Sequence, residues 1–196
     1  MEFDIYKKDV IRHELGHWLA AKKLGFCVGD IGITIHENFS GFGYAGTANI
    51  LPCHKIDDIE DLKNYLRNRI AILFSGVLSQ VMIKDEAEIS SRLVEKLLAS
   101  DGADDNSKII ELTHILRGVL YSDNMSSEME IQQRSEIMSS CWELACSNLE
   151  EYKDLIDFLL NEIGKCVTQS NKLYKFSRSQ IENWITTYKV LIGHPC

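Results

Sequence analysis

A chain of 196 residues that is 45% hydrophobic and 26% charged has enough apolar material to close a core without disulfides, as one domain or one domain with a helical extension. Its 21 Lys and Arg against 29 Asp and Glu leave a formal charge of −8, which argues against a surface that tracks nucleic-acid phosphates. The start, Met1-Glu2-Phe3-Asp4, lacks a secretory pattern, and the charge-free stretch 70–83 is too short for the roughly 20 residues of a membrane span, so no membrane span and a cytoplasmic location are expected.

In chain order, residues 6–24 read as a helix: Tyr6, Val10, His13, His17, Ala20, Ala21 and Leu24 recur at helical spacing, and Gly25 is placed to cap it. The period then changes to two over 28–36, where Ile31, Ile33 and Ile35 alternate with Gly32, Thr34 and His36. Residues 38–43 are turn-like, 44–51 form a second strand weakened by Gly46 and two alanines, and Pro52 closes it. Beyond Pro52 the pattern is helical: 56–81, in one or two pieces, then 86–99, a polar loop over 100–106, and a helix to about 120. Residues 121–127 are the best internal boundary, and three more helices are expected over 128–150, 152–166 and 177–191. Trp142 and Trp184 sit at apolar helical positions and read as core. The cysteines at 27, 53, 141, 146, 166 and 196 include no Cys-x-x-Cys pair and read as free thiols.

The chemistry sits in the first helix. His13-Glu14-Leu15-Gly16-His17 is a His-Glu-x-x-His motif. Residues four apart lie on one helix face, so both imidazoles can reach one zinc ion with Glu14 beside them. Zinc lowers the pKa of a bound water and polarises a carbonyl, and Glu14 would act as general base, passing the proton to the leaving amine. Val10, Trp18, Leu19, Ala20 and Ala21 around the motif make its setting apolar. A catalytic zinc takes three protein ligands, and neither the other histidines (His36, His54, His114, His194) nor the many carboxylates can be chosen by chemistry alone.

Over about residues 10–120 the chain resembles the peptidase domain of the FtsH family of ATP-dependent zinc metalloproteases. The residues that carry this are His13-Glu14-Leu15-Gly16-His17; Ile31-Gly32-Ile33-Thr34-Ile35 with Gly43-Tyr44 and Leu51-Pro52; Phe74-Ser75-Gly76-Val77-Leu78-Ser79-Gln80; and Gly102-Ala103-Asp104-Asp105. The resemblance implies a zincin-like fold and an aspartate as third zinc ligand. The fourth segment is one residue short of the family's Gly-Ala-Ser-Asn-Asp, so that ligand aligns with Asp104, Asp105 or Asn106. Helical register favours Asp105, which shares the apolar face of Ile109, Leu112, Leu116 and Val119, while Asp104 is placed to cap the helix. The third segment departs from the family: Val77 and Ser79-Gln80-Val81 stand where it has an arginine and glutamates. No ATPase loop motif is present.

The expected protein is therefore α+β and mainly α-helical. It has an FtsH-like, zincin-like peptidase region over 1–122 with a small N-terminal β-sheet, and a helical C-terminal portion over 123–196 packed on the same domain. It would be a zinc metalloendopeptidase, with His13, His17 and Asp105 as metal ligands, Glu14 as catalytic base, and residues 44–50 as an edge strand for an extended polypeptide substrate. Without an ATPase of its own it would cleave flexible or exposed segments or rely on a delivery partner; an oligomer, formed through the helical C-terminal portion, is a separate expectation. The alternative is a non-catalytic binding or regulatory protein on a peptidase-like zinc scaffold, motivated by the missing arginine and glutamates.

Overall fold

The structure, a computed structural model, describes residues 2–39, 41–52, 54–82, 91–100, 102–121 and 126–193. Two helices that cross at close range form its centre. In α1 (Glu2–Lys23) every residue from Val10 to Ala21 except Arg12 is buried, which is the mark of a helix enclosed on all sides. It ends in a Schellman arrangement, with Gly25 at φ 81° and the Phe26 and Gly25 amides donating to Ala21 and Lys22. In α2 (Ile59–Val81) the Asp58 side chain caps the start by accepting from the Asp61 amide, and Ile70 to Val81 is continuously buried. α2 is one helix, not two.

Glycine and serine set the closeness of the crossing. A Cβ on Gly16 would overlap the Ser75 carbonyl oxygen and lie 2.5 Å from Ser79 Oγ. Ser79 Oγ in turn donates to the Arg12 carbonyl at 2.6 Å, which ties the two helices together.

Over this pair lies an antiparallel sheet of order β2-β1-β3, formed by β1 (Cys27–Asn38), β2 (Gly41–Leu51) and β3 (Leu173–Phe176). Ile31, Ile33 and Ile35 of β1 are fully buried and stand opposite Ala48, Gly46 and Tyr44 of β2, which places those three β2 residues on the same inner face. The third strand belongs to the C-terminal portion, so the sheet is not solely N-terminal as expected. Asn171 positions β3. In a left-handed conformation (φ 57°), it donates its amide to the Ile35 carbonyl at 2.7 Å, and its Oδ1 accepts from the Glu37 amide.

Four helices flank the centre: α4 (Ala103–Leu120), α5 (Ser127–Glu150), α6 (Lys153–Cys166) and α7 (Arg178–Leu191), with the short α3 (Ser91–Ala99) beside α4. One apolar cluster runs through α1, α2, the sheet, α4, α5, α6 and α7, so the residues on either side of the 121–127 boundary share a core. Trp142 and Trp184 both pack against it, half-buried. The fold is α+β and mainly helical, and no helix among the described residues is long and apolar enough to cross a membrane. Of the expected helix 86–99, residues 86–90 lie outside the described residues. The reading of all cysteines as free is corrected at Cys27, which is disulfide-bonded at the start of β1; Cys141, Cys146 and Cys166 are free.

The crossing makes a contrast testable by urea denaturation. Gly16→Ala should lose about 1–3 kcal/mol, the usual cost of overpacking a filled core. Gly164→Ala, in α6 with open space around its Cβ position, should gain about 0.4–1 kcal/mol by restricting the unfolded chain.

Candidate metal centre

α1 carries His13, Glu14 and His17 into the interior, where all three are buried. α2 passes so close to the imidazoles that a Cβ on Gly76 would overlap His17 Nε2 and lie 2.9 Å from His13 Cε1. α4 brings Asp105, in its first turn, against the same point. His13 Nε2, His17 Nε2 and Asp105 Oδ2 are each 3.0 Å from the other two. Among the described residues this is the one group of three or more His, Cys, Asp or Glu side chains close enough to share an ion.

The far side of each imidazole is also held. His17 Nδ1 lies 2.8 Å from the Ile72 carbonyl, which can only accept, so Nδ1 carries the proton and Nε2 of the neutral ring is a bare lone pair. His13 Nδ1 lies 3.2 Å from Gln80 Oε1, and the Gln80 amide donates to the Tyr44 hydroxyl at 3.3 Å. His13 is thereby set in the same tautomer. Two lone pairs and a carboxylate oxygen then converge in a buried site, an arrangement that requires a proton or a cation among them. For a tetrahedral zinc with ligands at about 2.0–2.1 Å, ligand atoms are roughly 3.3 Å apart. The observed 3.0 Å spacing, the two imidazoles plus carboxylate, and the ordered partners behind the rings all fit such an ion.

The charges of the site oppose one another. Burial pushes Glu14 up, and the His17 and His13 charges and a hydrogen bond from the Ala48 amide only partly offset it, so its pKa stays raised. Burial acts on Asp105 in the same sense, but where the rings take up protons in place of a metal, hydrogen bonds from His13 and His17 and their charges more than reverse it and hold the carboxyl well below its usual range. His17 is disfavoured as a cation by burial, yet the hydrogen bond and charge of Asp105, with the charge of Glu14, raise it overall.

The trio and Glu14 open into a cleft of about 410 Å³ between α1, α2, α4 and β2. Gly46 borders Glu14 so closely that a Cβ there would overlap the carboxylate. A larger groove of about 680 Å³, lined by Phe74, Ile110, Ile131, Met138 and Trp142 among others, lies apart from these residues.

The sequence-derived candidates among the described residues have definite places; His194 lies outside them. His13, Glu14, His17 and Asp105 come together. Asp104 lines the cleft but does not cap α4, whose N-cap is Gly102 with no side-chain bond. His114 is paired with Arg134 at 2.8 Å, away from the trio. His36 is exposed, and His54 packs at a tilt against Phe26 with ring centroids 4.4 Å apart; its neighbour Cys53 lies outside the described residues. The sequence reading assigned no role to Gln80, Gly76, the Tyr44 hydroxyl or the Ile72 carbonyl. No protein-family model matches the chain, and no curated protein is a significant match to it in sequence.

The pKa directions predict opposite pH responses with and without zinc. Raised His17 stabilises the zinc-free fold fully below its unfolded value near 6.5 and loses that contribution as pH rises through its folded value. Lowered Asp105 contributes above about 3.8 and loses its share as pH falls toward its folded value. For zinc-free protein the site therefore contributes most between about pH 4 and 6.5. Added zinc competes with protons for the same nitrogens and should raise Tm most above about pH 7. Thermal melts from pH 5 to 8 with and without zinc check this; a zinc-induced rise that does not shrink on acidification contradicts it.

Proposed function

We propose that the protein is a zinc-dependent endopeptidase on a zincin-like core, similar in its site to the FtsH peptidase domain. The observation that carries this reading is the position of Glu14. It is a buried carboxylate of raised pKa, one residue from a metal ligand, facing a cleft bordered by an edge strand. A site that held a metal only for structure would have no need of an acid there.

His13, His17 and Asp105 would hold the ion. A zinc bound there would supply a Lewis acid for the substrate carbonyl and a lowered pKa for the attacking water. Glu14 accepts the proton of that water at its carboxylate and returns it to the departing amine nitrogen. Burial raises its pKa, which favours its taking up that proton. Tyr44 and Gln80 keep the His13 ring in register, and the Ile72 carbonyl does the same for His17.

Among the described residues β2 has β1 on one side and no strand on the other, so its outer edge can pair with an extended polypeptide. Gly46, whose missing side chain makes way for the Glu14 carboxylate, and Ala48 line the cleft on the strand's side. The substrate class is thus a polypeptide segment able to become extended.

Glu14→Gln should reduce hydrolysis of an unfolded protein substrate such as casein by about 10²–10⁴-fold while zinc stays bound. Retention of full activity in that variant would reject the assigned base. Undetectable activity in the zinc-loaded wild type would favour the non-catalytic scaffold.

A further inference from the structure

The cleft contains a cation that the reaction does not use. Arg69 lies on the face of α2 that also carries Leu73, Gly76 and Gln80, at spacings of four, seven and eleven residues. It lines the cleft with the metal trio and is half-buried. Among the described residues it makes no hydrogen bond and no ion pair. This is notable in a chain with 29 acidic side chains against 21 basic ones. Asp104 borders the same cleft without pairing to it, while Glu14 and Asp105 are engaged by Ala48 and by the histidines. The second cation of the cleft, Lys108, is exposed and only 4.0 Å from Asp105 Oδ1.

The spacing says where Arg69 acts. Seven residues of helix separate it from Gly76, which touches both imidazoles, and at 1.5 Å per residue that is about 10.5 Å. Its side chain leans toward the start of α2, further from the trio. An extended chain advances about 3.3 Å per residue, so this distance spans about three residues of a bound segment. The opposite end of α2 is marked by Gln80 bonded to Tyr44, which puts Arg69 on the Ile50 side of the cleft. A guanidinium binds carboxylates in a two-pronged, charge-assisted manner.

We propose that Arg69 is a specificity-determining residue, selecting polypeptide segments that carry a carboxylate about three residues to the Ile50 side of the bond held at the trio. This assignment rests on the peptidase reading above. The carboxylate can come from an Asp or Glu side chain or from a chain terminus.

The test uses the whole chain. Fluorescence anisotropy with Glu14→Gln protein and zinc would compare labelled peptides of one neutral sequence: blocked at both ends, blocked with glutamates introduced, with a free C-terminus, and blocked with lysines introduced. In parallel, mass spectrometry would map the bonds that the wild type cuts in a peptide library. The expected result is about tenfold tighter binding of the glutamate or free-terminus peptide, whichever source is used. Arg69→Ala should remove the difference, and Arg69→Glu should turn the preference toward lysine. Equal binding of acidic and neutral peptides, or an acid preference that survives Arg69→Ala, overturns the assignment. Cleavage without acid preference rejects Arg69 as selector and leaves the peptidase reading intact. Arg69-dependent acid binding by a protein that cleaves nothing rejects the peptidase reading and upholds the carboxylate-binding role.

Discussion

Two imidazole nitrogens and a carboxylate oxygen held 3.0 Å apart in a buried site are unstable together unless positive charge lies among them. The rest of the architecture serves to hold them there. α1 supplies two of the three donors because its residues four apart share a face. α2 reaches their backs because Gly16 and Gly76 remove the side chains that would keep the helices apart. From that position it fixes both rings, with the Ile72 carbonyl behind His17 and Gln80 behind His13. α4 closes the third side with Asp105, whose neighbour in the next turn, Ile109, is fully buried and anchors the helix. The sheet covers the remaining side and places Gly46 and Ala48 against Glu14.

Two carboxylates of one cleft thus have opposite tendencies. Asp105 lies 3.0 Å from both histidine rings, whose positive charge on protonation keeps it ionised. Glu14 has one backbone donor and is otherwise desolvated, so it takes a proton more readily. In the proposed mechanism it is environment, not residue type, that would separate ligand from base.

What could be read from the sequence was whatever depends on local period. The His-Glu-x-x-His spacing and the apolar run after it identify a buried helix face without any tertiary information. The register with Ile109 separates Asp105 from Asp104. Other features needed the assembled fold. Gln80 and Gly76 acquire their roles only where α2 crosses α1, and nothing in the local pattern of α2 distinguishes them. Leu173–Phe176 is four residues long with a lysine in it, and becomes a strand because Asn171 and the free edge of β1 receive it. Asp104 looked like a cap because aspartate favours that position, but the helix begins at Ala103, so Asp104 falls inside its first turn. Cys27 read as a free thiol because pairing depends on which segments meet.

The central claim is that the trio binds one divalent metal, and elemental mass spectrometry tests it most directly. The wild type, His17→Ala and Asp105→Ala proteins would each be loaded with zinc and dialysed. About one zinc per chain in the wild type, none retained in His17→Ala and a reduced amount in Asp105→Ala is the predicted result. A wild type that retains no metal, or variants that hold as much as it does, would contradict the account.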